Sequence, residues 1–529
     1  MKSAKLLQLF VIMFAFCNLL LAQTAPNLEN GWKPFGSYDG THLDTVNVMN
    51  GNLMIHAPLI PDAPQRGSLK VSNTLYASSK DWQAICSGTS CSWQKGGAGV
   101  TILPAPGLSV HRTRDNTFIA GTNDPTSIAY GYTIVTPDQS THQLHNGDSA
   151  DLSGYHIALS VPDSYGVPLH VAVTDRSGNQ YEGDFKSGKC QKAPTNYMIS
   201  SPGPVQPIVD DVTTGDRYCP ETAFASLVTD SNGNQVGLHG PDNPNPSIDT
   251  LGRLPGLTSA SAAPDFSGCM SAYPFYTAMM YHYQDPNGVA RDVKLCAAEV
   301  PIHTAYGQTN PFIGEVVSST DPNDTSGFHF RPIVTAVLAD GTKWTFDYDN
   351  YGEITSVGLP TGGSITYTWQ TINYLGCNDG SPSHFSRAVA TRTLNDGQGH
   401  SYQWTYHWGT IASGSLTNVV TDPLGNDTAH VFSDLSLQTG TVPYCKFYET
   451  GTIQYQGAQS ANNPIQRADT TYSTANFSVS TDDISPRNVF ATDVLTTVFP
   501  SGKVKKVHKD PDTGLGPGLS MFGNVKKEW

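Results

Sequence analysis

The 529-residue chain is poor in charge: only 14% of its residues are Asp, Glu, Lys or Arg, against about 25% in ordinary soluble domains. Its polar surface must come from Ser, Thr, Asn and Gln. What charge exists is acidic, with a net value of −15, which disfavours nucleic acid and anionic lipid as partners. After residue 22 there is no apolar run long enough to cross a membrane. Long stretches free of Gly and Pro are missing as well, because 50 glycines and 36 prolines interrupt the 529-residue chain, on average about every six residues. That spacing leaves no room for long amphipathic helices and predicts an almost entirely β protein. Short helical turns are expected only near residues 221–227 and 276–283.

Catalytic signatures are absent too. There is no His-Glu-x-x-His helix and no Gly-x-Ser-x-Gly elbow. Gly183 and Gly188-Lys189 have the spacing of a phosphate loop, but Cys190 stands where the magnesium-binding Ser or Thr belongs. No Cys-x-x-Cys pair supports zinc. His142 and His145 lie in a segment that reads as strand and turn, where ordinary histidines are expected. No residue is assigned a catalytic, cofactor-binding or metal-binding role. Calcium is the one cofactor with any support, from Asp321, Asn323 and Asp324 ahead of Gly327, and an Asx turn explains the same residues more simply.

At the N-terminus, Lys2 and Lys5 precede an apolar run over residues 6–22, the pattern of a cleaved export signal. Losing those two lysines takes the net charge to −17. No membrane span is expected after cleavage, and the mature protein is expected to be secreted or at the cell surface. Eight cysteines remain beyond the signal, an even number that fits disulfides in an exported chain. Pairing sequence neighbours gives Cys86 with Cys91, Cys190 with Cys219, Cys269 with Cys296, and Cys377 with Cys445.

The most regular stretch carries Trp344, Phe346 and Tyr348, and 21 residues later Ile365, Tyr367 and Trp369. Alternating aromatics separated by Gly-containing turns describe β-hairpins, and such a short period describes units that bury their apolar face only by stacking. Trp404, Tyr406 and Trp408 repeat the alternation. Packing explains these aromatics better than a sugar-stacking platform does. A turn of the form Thr-Asp-x-x-Gly-Asn recurs at Asp175, Gly178 and Asn179, at Asp230, Gly233 and Asn234, and at Asp422, Gly425 and Asn426. In such a turn the Asp carboxylate accepts from backbone amides while Gly takes a positive φ. Asp285 to Gly288 is a looser fourth copy, and Asn50-Gly51 is a hairpin signal between Val48 and Leu53.

Tyr348-Asp349-x-x-Gly352-x-Ile354, with Trp344 and Phe346 before it and Leu359-Pro360-x-Gly362 after it, resembles the YD repeat of RHS proteins. Asp422-Pro423-x-Gly425-Asn426 is similar to that family's inter-repeat turn. The opening around Val46-Asn47 and Asn50-Gly51-Asn52-Leu53 resembles the entry region of exported bacterial RHS-like chains. The resemblance implies strands that wind into a hollow shell, as in toxin-complex cocoons and teneurins. The family's core ends in a self-cleaving Asp-Pro-x-Gly-Leu signature. Here Asp510-Pro511-Asp512-Thr513-Gly514-Leu515 carries an extra residue, so that activity is not transferred.

The expected architecture is therefore all-β: antiparallel hairpins stacked into a curved sheet or partial shell, with a disulfide-held, loop-rich insertion. The expected organisation is a signal at 1–22, an N-terminal β region at 23–125, a Cys- and Pro-rich β region at 126–330, and a YD-repeat-like array at 331–529 that reads as truncated. Function is expected to be that of a non-enzymatic scaffold, meeting an extracellular glycan or protein or enclosing a C-terminal effector. A carbohydrate-binding module and a glycan-degrading enzyme are the alternatives.

Overall fold

The computed structural model describes residues 36–60, 69–114 and 130–185 with short interruptions, then 191–192, 217–218, 222–237, 249–250, 257–260 and 264–528. Within the last span, 286, 310–311, 320–326, 375–384, 436–446, 476–486 and 512–524 are excepted. The signal segment, Cys190, Cys219, Cys377, Cys445, His145 and the candidate calcium residues Asp321, Asn323 and Asp324 lie outside the described residues, as does the segment after Pro511 that resembles the cleavage signature.

Among the described residues the structure is β throughout, with no α-helix and one 3-10 turn at Gln459–Ala461. Its dominant element is a sixteen-stranded sheet running from Thr258–Ala260 to Val525–Glu528, with strands ordered as they occur in the chain. Every neighbour pair in it is antiparallel. The sheet does not close into a barrel. Register shifts occur between Asp347 and Tyr348, between Thr368 and Trp369, and between Val431 and Phe432. Bulges of this kind raise local twist and bend a sheet.

Alternation sets the two faces. In Lys343–Tyr348 the residues Trp344, Phe346 and Tyr348 are buried, whereas Asp347 is exposed. The expectation of helical turns at 221–227 and 276–283 is wrong: Thr222–Phe224, Leu227–Thr229 and Phe275–Gln284 are strands. The Ala-Met-Met run at 278–280 favours helix locally, but Phe275–Gln284 is paired along both edges, to Thr258–Ala260 and to Ala290–Ala298. Pairing on both sides overrides so weak a propensity.

A five-stranded N-terminal sheet, in the order Tyr38–Gly40, Asp44–Asn47, Leu53–Pro58, Thr74–Ser78 and Thr101–Leu103, packs on the long sheet over the stretch from Tyr283 to Phe432. Among the described residues, the later strands Pro464–Ala475, Arg487–Val498 and Lys503–Pro511 add no buried residue to that contact. The two sheets share one hydrophobic core, in which Val46, Leu53, Ile55 and Leu75 join Leu295, Phe346, Tyr367, Tyr406 and Phe432. The hairpin Trp82–Ser87 and Ser90–Lys95 adds Trp82 and Trp93 to that core and pairs in parallel with Ile313–Gly314. A separate small core around Val110, Ile134, Val171 and Val173 belongs to two further sheets built from residues 109–237.

The recurrent turn has one geometry. At Asp175, Asp230, Asp285, Asp349 and Asp422 the Asp N–H donates to the carbonyl four residues on, and the Gly N–H donates back to the Asp carbonyl. Each Asp Oδ1 also accepts from two backbone amides at 2.8–3.0 Å. Gly178, Gly233, Gly288, Gly352 and Gly425 have φ between +71° and +81°. This is a type I turn closed by a glycine bulge, the usual three-residue hairpin connection. Asn179, Asn234 and Asn426 each donate a side-chain N–H to the second oxygen of their Asp.

A cystine joins Cys269 to Cys296, tying an exposed loop to the buried strand Ala290–Ala298. Cys91 is also disulfide-bonded, and Cys86 lies opposite it in the hairpin register.

Two glycines of the same turn type separate backbone strain from packing. A Cβ on Gly425 would meet open space, whereas one on Gly352 would lie 2.8 Å from Phe330 and 3.0 Å from Ile302. Gly425→Ala is expected to cost about 1–2 kcal/mol from its left-handed backbone. Gly352→Ala is expected to cost about 1–3 kcal/mol more for overpacking. Urea unfolding of the two variants measures the difference.

Candidate functional site

Buried charge is rare in a chain so short of charge, and among the described residues half of it, Asp44, Lys80, Glu353 and Arg392, lies where the N-terminal sheet meets the long sheet. The Asn50-Gly51 turn, expected only to reverse the chain, sits fully inside: Asn50 and Asn52 have no exposed surface. Gly51 approaches the long sheet so closely that a Cβ would fall 2.2 Å from that of Ala388. A buried turn needs partners for its carbonyls. Asn418 Nδ2 donates to the Val48 carbonyl at 2.8 Å and to that of Met49 at 3.1 Å, and the Tyr374 hydroxyl donates to Met49 as well.

Beside this turn is a buried ion pair. Asp44 is 0% and Arg392 2% exposed. The Arg392 guanidinium grips both carboxylate oxygens, with one bond of 2.8 Å to Oδ1 and a second from Nε to Oδ2. Tyr367 OH donates to Oδ2 at 2.9 Å and Thr41 Oγ1 to Oδ1 at 2.8 Å. Arg392 also lies 4.6 Å over the Trp404 ring, an attractive cation–π arrangement. Next to it Tyr406 OH donates to Asp39 at 2.7 Å. Burial raises the Tyr367 and Tyr406 phenols well above their ordinary value, so they remain donors.

A second cluster surrounds Glu353, 3% exposed, and Lys80, 2% exposed. Arg387 donates to Glu353 Oε2 at 2.8 Å and to Asp349 Oδ2 at 3.0 Å, and stacks 3.9 Å over Tyr351. Lys80, from the N-terminal sheet's side, donates to Ser386 Oγ at 3.1 Å and to the Arg387 carbonyl. Burial is the main cause in both titrations: it lowers the Lys80 ammonium to about 7 and raises the Glu353 carboxyl to about 7. Between them lies a cavity of about 10 Å³ lined by Ser79, Lys80, Trp93, Tyr306, Glu353 and Arg387. It has room for about one water.

Of the residues singled out from sequence, Asp349 and Gly352 reach this seam: Asp349 closes its turn with Oδ1 and receives Arg387 on Oδ2. The turns at Asp175, Asp230 and Asp422 lie away from it, in hairpin connections of their own sheets. Asp44, Lys80, Glu353, Arg387 and Arg392 were not singled out. The one available signal was a charge set among apolar strand positions, and a register shift beside Trp369 obscures the phase at Arg392. Among the described residues no cluster of three or more His, Cys, Asp or Glu side chains is placed to hold a metal. His142 is buried against Tyr155 with ring centres 4.4 Å apart.

No family model matches the chain, and no curated protein matches it. Solved structures with some likeness include TcdB2-TccC3 without its hypervariable C-terminal region, at 11% identity and a TM-score of 0.12 over 90% of this chain and 22% of that one. TcdB2-TccC3 and TcdB2-TccC3-Cdc42 follow, at 10% identity and TM-scores of 0.11, over 90% and 88% of this chain. The chain spans about a quarter of the length of these structures.

Removing one partner of a buried pair leaves the other charge uncompensated, at a cost of about 3–5 kcal/mol. Arg392→Met is expected to destabilise the protein by that amount. The double variant Asp44→Leu with Arg392→Met is expected to cost less than Arg392→Met alone. Denaturant midpoints of the three proteins are the check.

Proposed function

We propose that this chain is an exported, non-enzymatic β scaffold of the RHS/YD-repeat kind, part of a shell wall or a cell-surface interaction protein. The observation that carries the reading is the long antiparallel sheet, part of whose face is covered by the N-terminal sheet with charge buried between them. Such an assembly gives extended surface and rigidity. Two cavities at the seam each have room for about one water.

Export is supported by Lys2, Lys5 and the apolar run over residues 6–22, and by the Cys269–Cys296 disulfide, which belongs to an oxidising compartment. The aromatic rows favour a scaffold over a glycan-binding module. Trp344, Trp369 and Trp408 each donate their indole N–H to a backbone carbonyl, at 3.0, 3.0 and 2.8 Å, and Trp404 lies under Arg392. Partners of the scaffold would be an extracellular glycan or protein at its outer face, or an effector segment enclosed by it.

The test is intact mass and location of the product in its own cells, with glycan turnover measured on the same purified sample. A product outside the inner membrane, starting between residues 22 and 25 and releasing no sugar, is expected. Retention of the N-terminal segment in the cytosol would overturn the export part. Sugar release abolished by replacing one carboxylate, with the fold intact, would overturn the non-enzymatic part.

A further inference from the structure

The cavity between Lys80 and Glu353 joins two sheets that are distant in sequence. Lys80 closes the segment after Thr74–Ser78, while Glu353 and Arg387 belong to the long sheet's side. Trp93, 3% exposed, also lines the cavity, and its Nε1–H is buried with no protein acceptor. An unmet indole donor costs free energy unless something accepts from it. Lys80 Nζ has three hydrogens and two protein acceptors, Ser386 Oγ and the Arg387 carbonyl. One Glu353 oxygen takes the Arg387 Nε–H. A water in a cavity of this size and polarity needs two to four polar partners, and the site offers them.

We propose that this cavity is a hydrated proton-binding site, in which one water bridges Lys80, Glu353 and Trp93, and whose proton occupancy sets how firmly the N-terminal sheet is seated. The other charged or titratable groups facing it are Arg387 and Asp349 from the long sheet, Lys95 from the hairpin beside it, and the phenols of Tyr306 and Tyr351. Asp349 and Glu353 share the one guanidinium of Arg387. A proton on Glu353 therefore relieves both carboxylate crowding and the cost of a buried charge. Loss of a proton from Lys80 relieves the corresponding cost for the ammonium.

The direction of the pH response follows from linkage. Glu353 has its carboxyl raised from 4.5 to about 7, so the folded seam binds the extra proton. The stability it contributes is complete below about 4.5 and is lost as pH rises to about 7. Lys80 is lowered from 10.5 to about 7, so the seam gains stability as pH rises from about 7 toward 10.5. The seating is weakest near neutrality and firmer on either side.

The experiment is hydrogen exchange of the full chain, corrected for intrinsic rates, at pH 5, 7 and 9.5, read at Leu53–Pro58 and Thr74–Ser78. Protection there is expected to be about tenfold or more lower at pH 7 than at either other pH, since one linked proton changes the opening constant by up to about tenfold per pH unit. Glu353→Gln is expected to flatten the acid limb only, and Lys80→Met the alkaline limb only. His508→Gln, remote in the long sheet, is expected to leave both limbs. A flat profile in the unmodified protein overturns the proposal even where the variants do not fold. So does a high-resolution structure at neutral pH with no solvent peak within hydrogen-bonding distance of Trp93 Nε1 and Lys80 Nζ.

Discussion

A polypeptide turn placed inside a protein must find a partner for each of its backbone groups, and that constraint organises this structure. The turn over residues 47–52 is buried against the long sheet, so the long sheet must carry polar side chains on a face that is otherwise apolar. Asn418 and Tyr374 meet the turn's carbonyls, and Arg392 with Tyr367 meets Asp44 at the base of the same hairpin. The hydrophobic effect draws the two sheets together wherever apolar faces meet. The polar contacts decide where they stop.

The long sheet can present such a face because its connections repeat. A type I turn closed by a left-handed glycine twists in the sense the flanking strands need, and the same pair of backbone bonds recurs at Leu338 and Leu359, where no Asp opens the turn. The Asp is therefore an addition to a geometry that the glycine already permits. At Asp422 it stays a local brace, holding Asn426. At Asp349 the second oxygen is turned to Arg387, and the brace becomes part of the seam. One motif thus has two uses, separated by what stands next to it in space.

That distinction marks how much could be read from the sequence. Alternation at Trp344, Phe346 and Tyr348 and the glycine-bearing turns carried the β architecture, because both are local and periodic. Residues 276–283 misled, because Ala and Met favour helix over a few residues while the strand's pairing partners lie elsewhere in the chain. The seam was illegible for the same reason in stronger form: Asp44 and Arg392 are 348 positions apart, and each alone resembles a surface charge. Lys80 and Glu353 likewise look like ordinary solvated residues until the two sheets are brought together.

A purely apolar seam would bury more area at less desolvation cost, so the retained charges call for a reason. Strand faces alternate with a period of two, and a slip of one residue turns every side chain to the opposite face. A shift of two residues keeps the same face inward, and in an apolar seam it exchanges one hydrophobe for another at modest cost. Here it would carry Asp44 away from Arg392 and leave a guanidinium buried without its carboxylate, a penalty of several kcal/mol. The same slip would strand the carbonyls of Val48 and Met49 and take Lys80 off Ser386. Each polar contact therefore penalises the misregistered seating more than it stabilises the correct one. That asymmetry is what a repetitive sheet needs from the element that covers it.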